Sequence, residues 1–294
     1  MSKTDIDRNS FDGSWLSRGQ FFRRSRLDTV QAGILAAAQK YVATDGKLKA
    51  ELVAPRNCVN CQSSQNRTIF VKNGFPHVMC EACSMVFVSP VLNDEQLTAH
   101  YRDASNDWTA VVENSEYATH QENYNEFHLN RIESLLGQCT RSVLDVGCNS
   151  GEFLRVARRR GFTVTGHELN TKAIEVCRRK EIEIVSQDLA QLAQDGRRFG
   201  VVTFFGVLEH LSNPLGVLKD AWQILESGGV LAALVPNIDS LTTRVLQEKC
   251  NTFDGVEHLN FWNALTIEKF VKSAGFEVRK IETAISEIYA LNNY

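Results

Sequence analysis

Four cysteines in two C-x-x-C pairs have a spacing that predicts metal binding. Cys58 and Cys61 form the first pair, Cys80 and Cys83 form the second, and 18 residues separate the two pairs. Each pair can fold into a tight turn that presents two sulfurs to one ion, so the pattern predicts a tetrahedral four-cysteine zinc site. Because thiolates would fill all four positions, none is left for water or substrate, and we expect the zinc to be structural.

A pair of disulfides is the alternative for these cysteines, and the expected compartment argues against it. No apolar run approaches the 18 or more residues of a membrane span, and the N-terminal stretch lacks the apolar core of a signal peptide. We therefore expect a cytoplasmic protein without membrane association, in which thiols stay reduced. The remaining cysteines show no pairing pattern; they are Cys139, Cys148, Cys177 and Cys250.

A second stretch that could bind a ligand is Val143 to Leu154, which predicts a buried strand, a glycine-rich turn and the start of a helix. Gly147 and Gly151 leave no Cβ in the turn, so a ligand can lie against the backbone amides. Asp145, at the end of the strand, adds a hydrogen-bond acceptor. Glycine-rich turns also join strands to helices for packing alone, and that simpler interpretation stays open for the turn by itself.

Acidic residues also follow the next two predicted strands. Glu168 ends the second strand, 23 residues after Asp145, where an acidic side chain can accept hydrogen bonds from both hydroxyls of a ribose. Asp188 follows the third strand. From Arg141 to Asn237 strands and helices alternate, which predicts a parallel sheet with helices on both faces.

Together these motifs resemble those of the class I S-adenosylmethionine-dependent methyltransferases. The glycine-rich turn reads Asp145-Val-Gly-Cys-Asn-Ser-Gly151, and Glu168 and Asp188 match the family's two acidic positions. Leu208-Glu-His-Leu-Ser-Asn-Pro214 matches the family's L-E-H-x-x-x-P. The resemblance covers roughly residues 58–281 and implies an α/β, Rossmann-like fold.

The resemblance also implies that S-adenosylmethionine is the cofactor. Asn149 stands where the family's middle glycine is usual, and asparagine tolerates left-handed backbone angles better than most residues. By their positions in the motifs, the residues expected to contact the cofactor are Asp145, Gly147, Cys148, Asn149, Gly151, Phe153, Glu168, Leu169, Asp188, Leu189, Phe205, Gly206 and His210.

Two histidines are candidates for a catalytic base. Methyl transfer from a sulfonium mainly needs alignment, and a base is needed only where the acceptor must lose a proton. His210 follows the fourth strand beside the cofactor, where a structural role in the loop is an alternative. His258 lies in the segment Asn237 to Trp262, which is too long for a simple connection and is expected to lie over the acceptor. We favour His258 as the base.

The block after the second cysteine pair resembles the zinc-ribbon module that precedes many bacterial small-molecule methyltransferases. Met85-Val-Phe-Val-Ser-Pro90 leads into a helix expected from near Asn93 to Tyr101, and Ser84 replaces the glycine that is usual in that module. Members of that group commonly modify activated sugars, surface glycans or secondary metabolites. The resemblance therefore implies a small-molecule acceptor.

Four parts are expected along the chain. They are an N-terminal extension with one amphipathic helix (1–52), a zinc ribbon (53–92), a helical cap or lid segment (93–140) and the methyltransferase domain (141–294). The N-terminal helix is predicted at Leu27 to Tyr41, and its apolar face must pack on the main domain or on a second subunit, so a homodimer through this helix stays open. In the last part, a sixth strand is expected after Phe276 and a seventh at Ser286 to Leu291.

The charge balance bears on the choice of substrate. The net charge is −3, which argues against a protein that binds nucleic acid mainly through a basic surface. Residues 1–57 carry 10 Lys or Arg and 6 Asp or Glu, which gives +4 and leaves −7 for the remainder. Two rival functions remain: an RNA methyltransferase that binds RNA through the ribbon, and a noncatalytic cofactor-binding partner protein.

Overall fold

The computed structural model describes residues 27–102 and 115–283, which form nine α-helices and eleven strands. In chain order these are α1 (Leu27–Gln39), β1 (Val53–Ala54), β2 (Asn66–Lys72), β3 (Phe75–Cys80), β4 (Val86–Val88), β5 (Val91–Leu92), α2 (Asp94–Arg102), α3 (Ser115–Leu135), β6 (Ser142–Val146), α4 (Glu152–Arg159), β7 (Thr163–His167), α5 (Thr171–Arg179), β8 (Glu183–Val185), α6 (Leu189–Gln194), β9 (Phe199–Phe205), α7 (Pro214–Ile224), β10 (Leu225–Leu234), α8 (Leu241–Leu246), β11 (Asn260–Phe261) and α9 (Ala264–Ser273). Short 3₁₀ helices occur at Ala50–Leu52, Leu208–His210 and Gln247–Lys249.

Strands β6 to β10 form a parallel sheet in the order β10-β9-β6-β7-β8. Successive side chains alternate between the two faces, and helices cover both. On one face Val143 and Val201 are buried in a cluster with residues of α4 and α5. On the other, Leu144 and Val202 are buried with residues of α6, α7 and α9. Strands covered on both faces need apolar residues on both, which explains their nearly continuous hydrophobic runs. The predicted α/β fold is confirmed.

A separate antiparallel sheet holds the cysteine-rich module, with strand order β11-β4-β3-β2. Strands β2 and β3 form a hairpin, and Cys80 is the last residue of β3. The outer strand β11 comes from far along the chain, and its Asn260 and Phe261 lie opposite Phe87 and Val86 of β4. The segment from residue 237 to 262, predicted as a long functional loop, therefore contains a helix and a strand that extends the sheet of the cysteine-rich module.

The two sheets share buried side chains. Met85 and Phe87 of the cysteine-rich module lie in one hydrophobic cluster with Leu218 of α7 and Phe270 of α9. A second cluster joins Ala38 and Tyr41, at the end of the N-terminal helix, to Leu92, Phe253 and neighbouring residues. Ile34 and Ala38 of helix α1 thus pack within the chain, whereas Leu35 on the same predicted face is 49% exposed. A homodimer through this helix stays a prediction.

The sixth strand expected after Phe276 is not formed: residues 276–283 have no regular secondary structure. Phe276 is buried and Val278 is partly buried, but the alternation stops at Lys280, and Ile281 is 41% exposed. A strand needs a continuous apolar face to gain from joining the sheet, and this stretch presents only two such positions.

Several predictions fall on residues outside the described part of the chain: the N-terminal extension before residue 27, the segment 103–114 of the predicted cap, and the seventh strand at Ser286 to Leu291. Across residues 27–102 and 115–283, no helix combines the length and the hydropathy that crossing a membrane requires. The longest described helix, α3, has 21 residues, and its sequence contains several charged residues, such as Glu122, Glu126 and Arg131.

Candidate functional site

The four cysteines of the two C-x-x-C pairs converge on one point. All four sulfurs lie within 4.8 Å of one another. The shortest distances run across the pairs, 3.5 Å from Cys58 Sγ to Cys83 Sγ and 3.5 Å from Cys61 Sγ to Cys80 Sγ. Sulfurs about 2.3 Å from a tetrahedral zinc ion would lie about 3.8 Å apart, so the cluster fits a zinc ion closely. A disulfide needs sulfurs about 2 Å apart, and these two distances of 3.5 Å are well beyond that length.

Backbone N–H groups in each C-x-x-C turn point at the sulfurs. At Cys80, burial disfavours the thiolate, but the N–H groups of Cys83 and Ala82 stabilise it enough to lower the pKa of the thiol. At Cys83, burial outweighs the N–H of Met85 and raises the pKa to about 11. A positive ion among the four sulfurs would overcome this cost of burial, because metal binding removes the thiol protons.

Arg56 connects this module to the loops of the parallel sheet. Its buried guanidinium donates hydrogen bonds to the carbonyl oxygens of Val88, Ser212 and Leu259, which belong to β4, the loop after β9 and the segment before β11. Burial lowers the pKa of Arg56 to about 9, partly opposed by the nearby Cys58. One side chain therefore holds three separate segments in register.

The glycine-rich turn between β6 and α4 has left-handed backbone angles at three positions: φ is +71° at Gly147, +48° at Asn149 and +77° at Gly151. A Cβ at Gly147 would lie 2.5 Å from Val207 Cγ2, and one at Gly151 would lie 2.4 Å from Ile182 Cδ1. Asparagine is among the few non-glycine residues that adopt this conformation readily. The turn therefore forms with Asn149 in place of the middle glycine.

Glu168 organises the backbone around this turn. Its Oε2 accepts a hydrogen bond from the N–H of Asn149, 2.9 Å away, and its Oε1 accepts from the N–H groups of Leu169 and Asn170, at 2.7 and 2.8 Å. A carboxylate has about four acceptor positions, and these three N–H groups leave about one for a ligand's hydroxyl group. The side chains of Asn149 and Ser150 each bury an oxygen that has no partner among the described residues. These features fit the predicted cofactor.

Asp145 lies beneath the turn and is almost fully buried. Thr203 Oγ1 on β9 donates a hydrogen bond of 2.6 Å to Asp145 Oδ1. Burial raises the pKa of Asp145 to about 7, the Thr203 hydrogen bond opposes this rise, and the nearby Glu168 carboxylate adds to it. A hydrogen-bond donor or a positive charge on a ligand would favour the ionised form.

The other residues expected at the cofactor lie in different settings. Asp188 is exposed and caps α6 by accepting the N–H of Gln191 at 2.8 Å. The Leu189 side chain is buried in the hydrophobic core, so only its backbone could reach a ligand. Buried Phe153 packs edge-on against Phe205, with ring centroids 4.9 Å apart. Cys148 is also buried, Leu169 is 40% exposed, and Gly206 is exposed with φ of +68°.

His210 and His258, 48 positions apart in the sequence, lie side by side with ring centroids 4.8 Å apart. His210 ends the 3₁₀ helix after β9, and Val207, just before that helix, touches the glycine-rich turn. His258 lies just before β11. The two histidines are therefore next to each other and a short distance along the chain from the turn that fits the cofactor.

Asn260 fixes this arrangement, although sequence analysis did not identify it. Its Nδ2 donates to the carbonyl oxygens of Leu208 and Leu211 at 3.0 and 2.9 Å, and the N–H of Leu259 donates to the carbonyl of Glu209 at 2.7 Å. Asn260 is fully buried. No local sequence signal marks an asparagine that bonds to a loop about 50 positions away.

Each histidine makes a hydrogen bond through Nδ1. His258 Nδ1 lies 2.8 Å from the carbonyl oxygen of Thr252, and His210 Nδ1 lies 2.9 Å from the hydroxyl of Tyr101. A carbonyl oxygen only accepts, so His258 donates through Nδ1, and its Nε2 carries the lone pair in the neutral ring. Tyr101 was predicted as the end of a helix; its contact with His210 was not.

The two imidazoles have opposite tendencies to hold a proton. Burial lowers the pKa of His210 well below its usual value, and the neighbouring His258 adds to that effect. Burial also disfavours the charged form of His258, but Asp254, Glu209 and the carbonyl of Thr252 outweigh it, so the pKa of His258 is raised. Asp254 Oδ2 lies 3.7 Å from His258 Nδ1, while Asp254 Oδ1 accepts the backbone N–H of His258.

Glu209 completes the cluster of titratable groups. It is 3% exposed, and burial raises its pKa to about 7, an effect that His258 opposes. Its Oε1 lies 3.9 Å from His210 Nε2, and its Oε2 has no hydrogen-bond partner among the described residues. The sequence placed Glu209 within the L-E-H motif but did not assign it a role.

Comparisons with known proteins identify the family of this chain and several similar proteins. A profile described as a methyltransferase domain matches residues 85–281. The ubiquinone biosynthesis O-methyltransferase of Nitrosomonas europaea is 32% identical over 142 residues, which cover 46% of this chain and 56% of that protein. The protein of the same name from Coxiella burnetii is 29% identical over 113 residues, covering 36% and 48%. The chain thus spans about half the length of these curated relatives.

A SAM dependent methyltransferase from Archaeoglobus fulgidus has a known structure and is 19% identical to this chain. The match covers 58% of this chain and 84% of that one, with a TM-score of 0.44.

Proposed function

This chain belongs to the methyltransferase domain family, and from that premise we propose that it uses S-adenosylmethionine to methylate a small-molecule acceptor that must lose a proton. The adjacent pair of His210 and His258, next to the glycine-rich turn, is the observation that carries the proposal. An acceptor that needed only alignment would not require a pair of partly buried imidazoles flanked by carboxylates.

When bound, the cofactor supplies a methyl group on a sulfonium, an activated group that is displaced in line by the acceptor. In the proposed arrangement Glu168 accepts hydrogen bonds from the ribose hydroxyls and Asp188 lies toward the adenine. The backbone amides of the turn from Gly147 to Gly151 hold the remainder. Asp145, buried beneath the turn, favours a cationic or hydrogen-bond-donating group above it.

His258 is the proposed base. Its Nδ1–H is held by the carbonyl of Thr252, so Nε2 is the atom that would take the acceptor's proton. Asp254 is placed to stabilise the imidazolium that results. His210, whose pKa is lowered, would stay neutral and orient the acceptor through its own Nε2, since Tyr101 holds its Nδ1.

The acceptor we propose is an activated sugar, a surface glycan or a secondary metabolite. Support comes from the resemblance of the cysteine-rich module to ribbons found in enzymes of that class. The relatives named as O-methyltransferases favour a hydroxyl as the accepting group. A carbon next to a carbonyl group would need the same base, because it must also lose a proton before it attacks.

We also propose that the four-cysteine cluster binds one structural zinc ion. With four thiolate ligands the ion would have no open coordination position, so it would stabilise the fold and take no part in methyl transfer. Such a cross-link would stabilise β2 to β4 in addition to their pairing with β11 and their packing against α7 and α9.

The proposal is tested by incubating the protein with methyl-labelled cofactor and separate panels of nucleotide sugars, glycans, phenolic metabolites and RNA. Mass detection of a methyl gain on a small molecule, lost in His258→Ala, is the expected result. Methylation of RNA alone would overturn the proposed acceptor class. Tight cofactor binding without transfer to any acceptor would overturn the proposed activity and point to a noncatalytic partner protein.

A further inference from the structure

We propose that Glu209, His210 and His258 form a second metal site, separate from the four-cysteine cluster, which binds a transition-metal dication such as Zn²⁺, Co²⁺ or Ni²⁺. Its consequence rests on the proposed function: a cation bound to Nε2 of His258 would prevent that atom from accepting a proton, so occupancy would inhibit methyl transfer.

The donor atoms are already close together. One ligand atom from each of the three residues lies within 4.8 Å of the others. Ligand atoms about 2.1 Å from a tetrahedral zinc ion would lie about 3.4 Å apart, so the cluster needs to contract by at most about 1.4 Å.

A hydrogen bond fixes the His258 imidazole in the form that binds metals. The carbonyl of Thr252 requires an N–H at Nδ1 of His258, so the lone pair of the neutral ring is at Nε2. Metal-binding histidines usually donate their other ring nitrogen to a carbonyl or a similar acceptor in this way. His210 Nδ1 lies 2.9 Å from the Tyr101 hydroxyl, which also lies 3.3 Å from the carbonyl oxygen of Glu257.

Glu209 supplies the independent sign of a ligand. It is 3% exposed, and its Oε2 has no hydrogen-bond partner among the described residues. A buried carboxylate oxygen without a partner is costly, and a bound cation would remove that cost. The three residues come from two loops that Asn260 holds together, so the site exists only in the folded chain.

The donor set selects the class of cation. Two imidazole nitrogens and one carboxylate suit zinc, cobalt and nickel, whereas magnesium and calcium prefer all-oxygen sites. Three protein ligands leave a coordination position open, and the side chains of His210 and His258 are 20% and 23% exposed. An ion could therefore enter from solvent.

Cobalt distinguishes the two sites in one experiment. The zinc-loaded protein is titrated with Co²⁺ and followed by absorption and calorimetry. Cobalt bound by four thiolates gives intense sulfur-to-metal charge-transfer bands, while cobalt bound by nitrogen and oxygen gives only weak visible bands. We expect one additional Co²⁺ per chain with weak bands only, and the affinity should fall at least about tenfold in Glu209→Gln and in His258→Ala.

The matched control is His100→Gln, because His100 is also a buried histidine with a carboxylate partner, Glu257, 3.2 Å away, but is not one of the three ligands. This variant should keep the second cobalt ion. Unchanged cofactor affinity in calorimetry shows that a variant has folded. Cobalt that appears only with thiolate bands, or binding that Glu209→Gln leaves unchanged, would overturn the proposal.

The metal titration contains no acceptor, so its outcome is independent of the proposed function. If the second site exists and methyl transfer is inhibited by Co²⁺ and restored by a chelator, both proposals stand. If methyl transfer requires the ion, the site stands and the role of His258 as base is wrong. If no second site is found while methyl transfer persists, only the metal proposal fails.

Discussion

The four-cysteine cluster and the histidine cluster assemble in opposite ways. Each cysteine pair lies within one turn of chain, and a hairpin of adjacent strands brings the two pairs together. His210 and His258 come from loops 48 positions apart, and a buried asparagine and a strand added to another sheet hold them. The first site depends mainly on local spacing, whereas the second depends on long-range packing. Substitutions in the cysteine cluster should therefore lower mainly stability, and substitutions in the histidine cluster should lower mainly the rate.

The largest expected effect is on stability, from Cys80→Ser. Loss of a structural zinc site removes several kcal/mol of folding free energy, and each kcal/mol lowers the Tm by about 2–4 °C in a chain of this size. We expect zinc content to fall and the Tm to drop before cofactor affinity changes. Metal analysis and calorimetry measure both. Cys139→Ser, at a cysteine outside the pairs, is the control and should keep its zinc. A fully zinc-free wild-type protein, purified under reducing conditions, would contradict the assignment.

The next largest effect is on rate, from His258→Ala. Loss of a general base typically lowers the maximal rate by about 10²–10⁴. Cofactor affinity and Tm should stay near those of the wild type, which is the opposite of the cysteine variant. His210→Ala is the comparison, and it should also weaken cofactor binding because its loop touches the glycine-rich turn. If His258→Ala keeps normal turnover and His210→Ala loses it with cofactor bound, the base is His210.

The same base predicts a pH dependence, measured with chelator present. Burial lowers the pKa of His258, but Asp254, Glu209, the backbone of Thr252 and Glu257 outweigh it, so the pKa is raised. The neutral form accepts the proton, so the rate should rise with pH through a pKa above about 6.5. Asp254→Asn should move this limb to lower pH, because it removes a negative charge that favours the imidazolium. Histidine side chains in proteins titrate between about pH 5 and 9. A rate that does not change with pH over this range would contradict a histidine base.

A smaller effect is expected from Asn260→Ala, which tests the long-range link directly. The substitution leaves buried carbonyl oxygens of the L-E-H loop without donors, at a cost of about 1–3 kcal/mol. Turnover should fall because the two histidines are no longer held together, while zinc content stays normal. Metal analysis and a rate measurement on the same sample separate the two clusters. Loss of zinc in this variant would show that the ribbon also depends on that link.

The smallest effects concern the cofactor. Glu168→Ala should weaken cofactor binding roughly tenfold or more, because two ribose hydroxyls lose their acceptor, at about 1–3 kcal/mol. Asp188→Ala should have a smaller effect, since Asp188 is exposed and its side chain caps α6. Calorimetry with the cofactor compares the two. Equal affinities in wild type and Glu168→Ala would show that the ribose lies elsewhere.

Local sequence signals determined much of this protein. The cysteine spacing, the glycine-rich turn and the acidic strand ends predicted the converging sulfurs, the left-handed turn and the parallel sheet with helices on both faces. These features follow from the chain's near neighbours, because turns and buried strands have residue preferences of their own. Even the departure at Asn149 is explained locally, since asparagine adopts the φ of +48° that the turn requires.

The tertiary structure decided what lies together. Local patterns do not reveal three of the observed contacts. β11 extends the ribbon sheet, and Asn260 donates hydrogen bonds to the L-E-H loop. Glu209, which lies near His210, has one carboxylate oxygen without a hydrogen-bond partner among the described residues. Most of these contacts join residues about 50 or more positions apart, and their energy depends on burial, which only the packed chain defines. The sixth strand also depends on burial, and it does not form. Residues 276–283 have too little apolar surface to bury against the sheet.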